Sequence, residues 1–324
     1  MGLSIVNYSS DNAATRNWGV LKDGHIYPLQ PAYNDHRHVL AAYFADRAGF
    51  MAGVSDSAID MATVAFNAPL SGNLQLYCQG LNYADHRAES GASEEGDSEN
   101  LVFMKAASSI CGPNDTVLRP RDCQLLDYEI ELGLVLKSDI SAPASISEAA
   151  LQDYVGALVL CNYVSARDLM FGAPMLQWFK GKSQRTFCPT GPVLYLMDEA
   201  DFEHLYSLEL TLSLNGEVKQ HASTSQLIHK PAATLSEISQ YANLAAGDCL
   251  LTGTPGGVLA GANFKVAMAI LLNFQNDARR REKFTRAQLA RTRFLQPGDQ
   301  LDLSIRTPDG AIDLGRQHNQ IADA

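Results

Sequence analysis

The cysteines of this chain form no C-x-x-C pair and no spacing typical of a zinc site. They are scattered along the sequence as Cys78, Cys111, Cys123, Cys161, Cys188 and Cys249. Scattered cysteines favour reduced, mostly buried thiols over a disulfide framework, and reduced thiols are usual in the cytoplasm. We therefore predict a cytoplasmic protein.

The chain also lacks long apolar runs and an excess of positive charge, and we expect no signal peptide. Its longest apolar segments, 155–164 and 266–272, are too short to span a bilayer. The first ten residues, MGLSIVNYSS, have neither a basic start nor an apolar stretch. The formal net charge of -11 disfavours a nucleic-acid partner, because phosphate binding needs clustered Lys and Arg. We expect no membrane and no nucleic-acid partner, although a few local cations could hold an anionic small molecule.

What is present is an ordinary globular composition, with 46% hydrophobic and 19% charged residues in 324. Residues 1–73 contain short strand-like pieces and helical patches, which predict a small N-terminal α+β domain. Residues 74–324 contain many short strand-like segments separated by Gly and Pro. This pattern predicts an α+β fold that is mainly β, with a mixed, rolled or barrel-like sheet.

Two segments stand out from this pattern. Residues 91–100 are acidic and rich in Ser and Gly, which indicates either a solvated connector or an active-site lid. Residues 264–294 form a basic, amphipathic helical insertion. We expect the insertion to contact a second subunit or to cover one end of the sheet.

His86 and Glu89 form a His-x-x-Glu pair in the run GLNYADHRAES. Residues three apart share one face of a helix, so the carboxylate can orient the imidazole and raise its basicity. A surface ion pair is the plainer interpretation of the same spacing.

Glu129 and Glu131 alternate in the strand-like run DYEIELGLVL. Alternation on a strand sends both carboxylates to one face, where they repel each other unless a cation or a proton relieves them. Magnesium suits such a pair, and a solvent-exposed strand face is the alternative. Lys182 in FKGKS and Thr254 in LLTGTPGGV add a positive charge and a hydroxyl donor that could hold an oxo-acid or an enolate.

The residues of these runs, taken in their order along the chain, are more informative than any single run. GLNYADHRAES, LVFMKAASSI, DYEIELGLVL, NYVSARDLM, FKGKS, TFCPTGP, LNGEV and GDCLLTGTPGGV follow one another along the chain. Together they resemble the fumarylacetoacetate hydrolase family over residues 74–258, and the likeness resumes at FLQPGDQLDL. The resemblance implies a mixed β-roll with a divalent metal at its mouth, with magnesium expected first and calcium or manganese as alternatives. It also implies a small-molecule substrate and a homodimer or higher homo-oligomer.

The resemblance assigns roles by motif position. His86 and Glu89 become the pair that activates water, and Lys182 joins them as a catalytic residue. Glu129 and Glu131 become metal ligands. Lys105 and Thr254 become substrate-binding residues, and we expect Tyr163 and Arg185, which depart from the family pattern, to bind substrate as well.

Three positions depart from the family pattern. Tyr163 stands where the motif N-D-x-[ST]-A-R-D has a third metal-binding carboxylate, and a neutral phenol is a poor ligand for magnesium. Met170 replaces a frequent Gln, and Gln184-Arg185 replaces a frequent Phe-Asp. We therefore expect metal binding to be weak or absent.

Three functions follow from this sequence. The first is a hydrolase of carbon–carbon bonds in a small acylpyruvate, β-diketone or oxo-acid, with weakened metal dependence. The second is a tautomerase, a decarboxylase or a ring-forming or ring-opening enzyme on a less polar ketone. The third is a non-catalytic binding protein that keeps the fold.

Overall fold

The structure is a computed structural model that describes residues 2–10, 16–91, 99–171, 176–262, 264–273 and 275–324. Its strands are mostly short. In chain order they are β1 Leu3–Ser10, β2 Asn17–Lys22, β3 His25–Pro28, β4 Ile59–Asp60, β5 Val64–Asn67, β6 Leu76–Gly80, β7 Leu101–Lys105, β8 Ile110–Cys111, β9 Val117–Arg119, β10 Leu126–Asp127, β11 Ile130–Leu136, β12 Val155–Asn162, β13 Ser165–Ala166, β14 Cys188–Leu196, β15 Glu209–Leu214, β16 Glu217–Ser223, β17 Cys249–Leu251, β18 Gln300–Arg306 and β19 Asp313–Asp323.

The helices are also short. They are α1 His36–Ala45, α2 Arg47–Ala52, α3 Ala84–Glu89, α4 Leu151–Tyr154, α5 Arg167–Phe171, α6 Trp178–Lys182, α7 Pro231–Ser239, α8 Phe264–Leu271 and α9 Asp277–Leu289. Within the described ranges, every helix is too short or too polar to cross a lipid bilayer.

The strands form one large mixed sheet and a smaller second sheet. The large sheet has the order β4-β3-β2-β1-β14-β12-β11-β17-β6-β7, with β5 paired to β1 and β8 paired to β14. The smaller sheet has the order β16-β15-β18-β19-β9, and β10 pairs with β13 apart from both. Most pairs are antiparallel, but β17 and β6 run parallel.

Side-chain alternation gives the large sheet two apolar faces. On β12, Leu158 and Leu160 belong to the core shared with the smaller sheet, where Leu212 and Leu303 also lie. The intervening residues of β12, such as Val159, belong to the second core, together with helices α1 and α2. The central strands are therefore buried on both faces, and polar groups at their ends are shielded from water.

Residues 1–73 share the large sheet with the rest of the chain. β1 pairs antiparallel with β14, where Ile5 is opposite Leu194 and Leu3 is opposite Leu196. The division into a domain of 1–73 and a domain of 74–324 stays a prediction.

The predicted fold class, α+β and mainly β with mixed sheets, is confirmed, although the sheets of the described residues do not close into a barrel. The basic insertion comprises two helices, α8 and α9. Phe284 of α9 packs against Phe171 of α5 with ring centroids 4.9 Å apart. The lid predicted for the acidic stretch falls largely on residues 92–98, which lie outside the described residues.

Candidate active site

Strands β11 and β12 place the two glutamates and the tyrosine on one face of the large sheet. Glu131 of β11 is opposite Cys161 of β12, and the backbone N–H of Tyr163 donates to the carbonyl of Glu129 at 2.7 Å. Because alternate residues of a strand share a face, Glu129, Glu131 and Tyr163 point to the same side. The prediction that both carboxylates lie on one face of the strand agrees with this register.

Strands β6 and β7 bring a lysine to the same side of the sheet. Lys105 ends β7 opposite Leu76, and Phe103 is opposite Cys78. Leu76 and Cys78 belong to the same apolar core as Cys161 and Tyr163. A residue more than twenty positions before the glutamates thus reaches their side of the sheet.

Glu129 is surrounded by donors. Its Oε1 accepts hydrogen bonds from Ser165 Oγ at 2.5 Å and from Lys182 Nζ at 3.2 Å. Arg167 forms an ion pair with the same oxygen at 3.0 Å and with Asp127 at 2.9 Å. Burial alone would raise the pKa of Glu129, but the charges of Arg167 and Lys182 outweigh it and lower this pKa to about 2. Glu129 is therefore ionised at neutral pH.

The neighbouring carboxyl group of Glu131 has different surroundings. It is buried, and its Oε2 accepts a hydrogen bond from the backbone N–H of Gly253 at 3.0 Å. Burial, together with the negative charge of Glu129, raises the pKa of Glu131 well above its usual range. The carboxyl groups of Glu129 and Glu131, which are separated by one residue and lie on the same face, therefore differ in their tendency to ionise.

Two ammonium groups approach the buried ring of Tyr163. The Nζ atoms of Lys105 and Lys182 lie 3.5 Å and 4.5 Å from its ring centroid. Lys105 Nζ also donates to the carbonyl of Val164 at 3.2 Å. Burial lowers the pKa of Lys105 to about 8, and the charge of Lys182 acts in the same direction. The ring of Phe103 packs edge-on against Tyr163, so aromatic surface bounds both cations.

His86 and Glu89 lie on α3, as their spacing predicts. His86 is buried, and its Nδ1 is 3.8 Å from Glu89 Oε2, which is longer than a hydrogen bond. Within the described ranges Nδ1 has no hydrogen-bond partner. Both oxygens of Glu89 accept from the backbone N–H of Gly257, at 2.9 and 3.0 Å. The charge of His86 also helps to lower the pKa of Glu129, which places α3 near the glutamates.

Thr254 belongs to the turn that follows β17. Its Oγ1 accepts a hydrogen bond from Gln220 Nε2 at 2.9 Å, and Gln220 Oε1 accepts from the backbone N–H of Ile130 at 2.9 Å. Gln220 thus ties the turn to the start of β11. Arg185 is exposed, and among the described residues no contact links its side chain to this cluster. Its role in substrate binding stays a prediction.

Sequence reasoning gave no role to four buried residues of this site. Ser165 and Arg167 contact Glu129, and Gln220 holds Thr254. Burial, together with the nearby charge of Glu131, raises the pKa of Tyr83. All four stand in the runs that carry the resemblance, NYVSARDLM, LNGEV with its following KQ, and GLNYADHRAES. Their polar side chains and their position inside these runs were the features of the sequence that could have identified them.

The residues present do not fit the expected metal. Within the described ranges, no three His, Cys, Asp or Glu side chains are arranged to hold a metal ion. The Oε1 atom of Glu129 already accepts hydrogen bonds from Ser165 and Lys182 and forms an ion pair with Arg167. Tyr163 brings a phenol in place of a third carboxylate. Glu129 and Glu131 come together as predicted, but the cations next to Glu129 are the side chains of Arg167 and Lys182.

Comparisons with known proteins match the part of the chain that contains these motifs. A family profile described as Fumarylacetoacetate (FAA) hydrolase C-terminal matches residues 75–322. The Bos taurus protein named "Oxaloacetate tautomerase FAHD2A, mitochondrial" is 36% identical over 195 residues, which are 60% of this chain and 60% of that protein. The 2,4-didehydro-3-deoxy-L-rhamnonate hydrolase of Sphingomonas sp. (strain SKA58) is 37% identical over 198 residues, 60% of this chain and 66% of the relative.

A solved structure resembles the whole chain. The fumarylacetoacetate hydrolase from psychrophilic Exiguobacterium antarcticum matches with a TM-score of 0.75 and 27% identity, over 99% of this chain and 100% of that chain. The chain spans about 60% of the length of the bovine relatives that it matches. The family profile covers most of the chain, including every residue of the cluster. The chain belongs to the fumarylacetoacetate hydrolase family.

Proposed function

We propose that this chain is an enzyme that interconverts the keto and enol forms of a small 2-oxo acid or β-diketone. The supporting observation is the pair of ammonium groups, Lys105 and Lys182, within 4.5 Å of the Tyr163 ring centroid in a buried cluster. Enolisation places negative charge on the former carbonyl oxygen, and fixed cations in a water-poor site stabilise such charge strongly. The bovine relative is named an oxaloacetate tautomerase.

The reaction needs one group that moves a proton and another that holds the oxygen. We assign proton transfer to His86, because its Nδ1 has no partner among the described residues and Glu89 lies 3.8 Å away. The proton leaves the carbon next to the carbonyl, the C–H electron pair forms the carbon–carbon double bond, and the carbonyl π pair moves to oxygen. Lys105 and Lys182 stabilise that oxygen, and Thr254 offers a hydroxyl donor.

Carbon–carbon bond hydrolysis is the second candidate, and the same His86–Glu89 pair favours it. His86 then takes a proton from water, hydroxide adds to a carbonyl carbon, and the neighbouring carbon–carbon bond breaks with its electron pair forming an enolate. The Sphingomonas relative is named a hydrolase. Both reactions pass through an enolate, but only hydrolysis consumes water and gives two products.

Enzymes of this family are generally dependent on a divalent metal, and its members are typically oligomeric enzymes that act on small molecules. We propose a homodimer or larger homo-oligomer and a small-molecule substrate for this chain as well. A cytoplasmic location stays a prediction.

A substrate panel tests the proposal. The full chain is mixed with 2-oxo acids and acylpyruvates, enol absorbance is followed over time, and products are identified by mass spectrometry. We expect faster exchange between enol and keto forms of a 2-oxo acid with no cleavage. Two cleavage products would assign hydrolysis instead. No acceleration with any member of the panel would contradict both candidates and favour a binding protein.

Two lysines of α6 provide a matched pair of variants. Lys182 is buried against Glu129, whereas Lys180 is exposed on the same helix. We expect Lys182→Met to lower kcat by about 100-fold or more, in the range found when one oxyanion-stabilising group is removed, and Lys180→Met to leave it unchanged. His86→Asn should lower kcat by a similar factor. Full activity in a folded Lys182→Met variant would contradict the assigned role.

A further inference from the structure

The donor set of this site points away from a bound metal. We propose that Lys105 and Lys182, held against the Tyr163 ring, take the electrostatic place of the divalent ion, so that this family member binds no divalent metal in the cluster. The inference concerns the same cluster as the proposed function, but it rests on which atoms are free to bind a cation. It can therefore be tested without a substrate.

Tyr163 offers a poor ligand at the place of the third carboxylate. Its side chain is fully buried, and within the described ranges its hydroxyl has no hydrogen-bond partner. A neutral phenol oxygen carries no charge to offset a divalent ion, and hard cations such as magnesium prefer carboxylate, carbonyl and water oxygens. The bulk of the ring also fills space that a shorter carboxylate side chain would leave open.

The two glutamates are already engaged by the protein. Glu129 Oε1 accepts hydrogen bonds from Ser165 Oγ at 2.5 Å and Lys182 Nζ at 3.2 Å, and Arg167 forms an ion pair with it at 3.0 Å. A carboxylate oxygen has about two lone pairs, so these donors use the capacity of that atom. Glu131 Oε2 accepts the Gly253 N–H at 3.0 Å. A metal bound at either of these two oxygens would have to displace the contacts that the protein already makes there.

Three buried cations already face the carboxylates of the cluster. Lys182 pairs with Glu129, and Arg167 pairs with both Glu129 and Asp127. Lys105 adds a third buried cation, whose contact with the Tyr163 ring is a cation–π interaction. Inserting two further positive charges beside these buried cations is unfavourable because their mutual repulsion is weakly screened.

Asp168 does not replace the missing carboxylate. Its Oδ2 accepts the backbone N–H of Gln124 at 3.0 Å and faces Arg281 of α9 at 3.3 Å. Its Oδ1 is directed at the backbone N–H of Leu125 at 3.4 Å. The carboxylate is thus committed to the chain segment before β10 and to the inserted helix.

Metal content gives the direct test. The full chain is dialysed against magnesium or manganese chloride and then against metal-free buffer, and bound metal is measured by mass spectrometry. We expect no stoichiometric ion and a Tm that EDTA does not change. Retention of one ion per chain by the wild type, lost in Glu131→Gln, would overturn the inference.

A gain-of-binding variant tests which residues replaced the metal. Tyr163→Asp combined with Lys105→Met restores a carboxylate and removes one cation, and Tyr163→Phe serves as the control. We expect the double variant to bind manganese, seen by electron paramagnetic resonance and by a higher Tm, and the control to bind none. A folded double variant that binds no manganese counts against the inference. If it does not fold, the wild-type metal content alone decides the matter.

The two proposals can fail separately. A metal-free wild-type protein without enolisation activity would contradict the proposed function and support this inference. An active wild-type protein that holds one ion per chain would support the proposed function and contradict this inference.

Discussion

The ammonium group of Lys105 lies 3.5 Å from the centroid of the Tyr163 ring, nearer than that of Lys182 at 4.5 Å. A desolvated cation–π contact of this kind contributes about 2 kcal/mol. The ring provides the contact, whereas the Tyr163 hydroxyl has no partner among the residues that the structure describes. Ring and hydroxyl can therefore be separated by substitution.

Tyr163→Phe should change the free energy of unfolding by less than about 1 kcal/mol, because removing an unpaired buried hydroxyl breaks no hydrogen bond. Tyr163→Leu should cost about 2–4 kcal/mol, since it removes the ring and leaves a cavity. Urea unfolding of both variants measures the difference. Equal losses in the two variants would mean that the hydroxyl, rather than the ring, carries the stabilising contact.

Lys105 predicts a pH dependence of stability. Its pKa is about 8 in the folded protein, below the ordinary lysine value of 10.5. Between these values the unfolded chain holds the proton that the folded chain has released, so stability should rise with pH. The cost of the buried ammonium is fully present below pH 8 and amounts to about 3 kcal/mol.

The Lys105→Met variant isolates this dependence. The variant has no proton to release, so its free energy of unfolding relative to the wild type should fall by about 3 kcal/mol between about pH 8 and pH 10.5. Chemical unfolding at a series of pH values measures the difference. A constant difference over this range would show that the Lys105 pKa is not lowered.

Gly253→Ala should disturb both the turn after β17 and Glu131. Gly253 has a φ of +89°, and a Cβ there would lie 3.0 Å from Asn82 Cβ and 3.2 Å from Gln79 O. Both the backbone conformation and the space disfavour a side chain. We expect a loss of about 1–3 kcal/mol in thermal or urea unfolding. Gly310, whose φ of +76° has open space around it, provides the matched control.

The link between the inserted helices and the site should depend on Asp168 more than on Arg281. Asp168 is fully buried and accepts backbone N–H groups, whereas the Arg281 side chain is 32% exposed. We expect Asp168→Ala to cost about 3 kcal/mol, because buried donors lose their acceptor. Arg281→Gln should cost about 1 kcal/mol or less. Urea unfolding of the pair gives both values, and the reverse order would contradict the structure.

Local pattern was enough to predict a chain of many short strands, and the His86–Glu89 spacing indicated the helix that carries both residues. The run LVFMK forms β7 Leu101–Lys105, and the apolar segment 155–164 contains β12 Val155–Asn162. Both segments are short, and β12 is fully buried whereas β7 is only partly buried. The basic insertion was harder because periodicity alone does not show that α8 ends at Leu271 and that a second helix, α9, begins at Asp277.

The cluster itself was predictable only through the resemblance. Nothing in the spacing of Lys105 and Tyr163 along the chain shows that their side chains meet, since that contact depends on the pairing of five neighbouring strands, β7, β6, β17, β11 and β12. The sequence shows that Tyr163 stands at the position of a carboxylate, but it does not show which side chains contact the Tyr163 ring. The sequence contains no signal that Lys105 would lie against the new ring or that Arg185 would be exposed.

Hydrogen bonds between β1 and β14 join residues 3–6 to residues 193–196. A chain cut to the family-matched segment 75–322 would lose β1 and leave the backbone groups of Val193 and its neighbours open along the centre of the large sheet. Such a bare strand edge is a template for pairing with other molecules. A truncated enzyme made at the boundary of the family profile is therefore expected to aggregate.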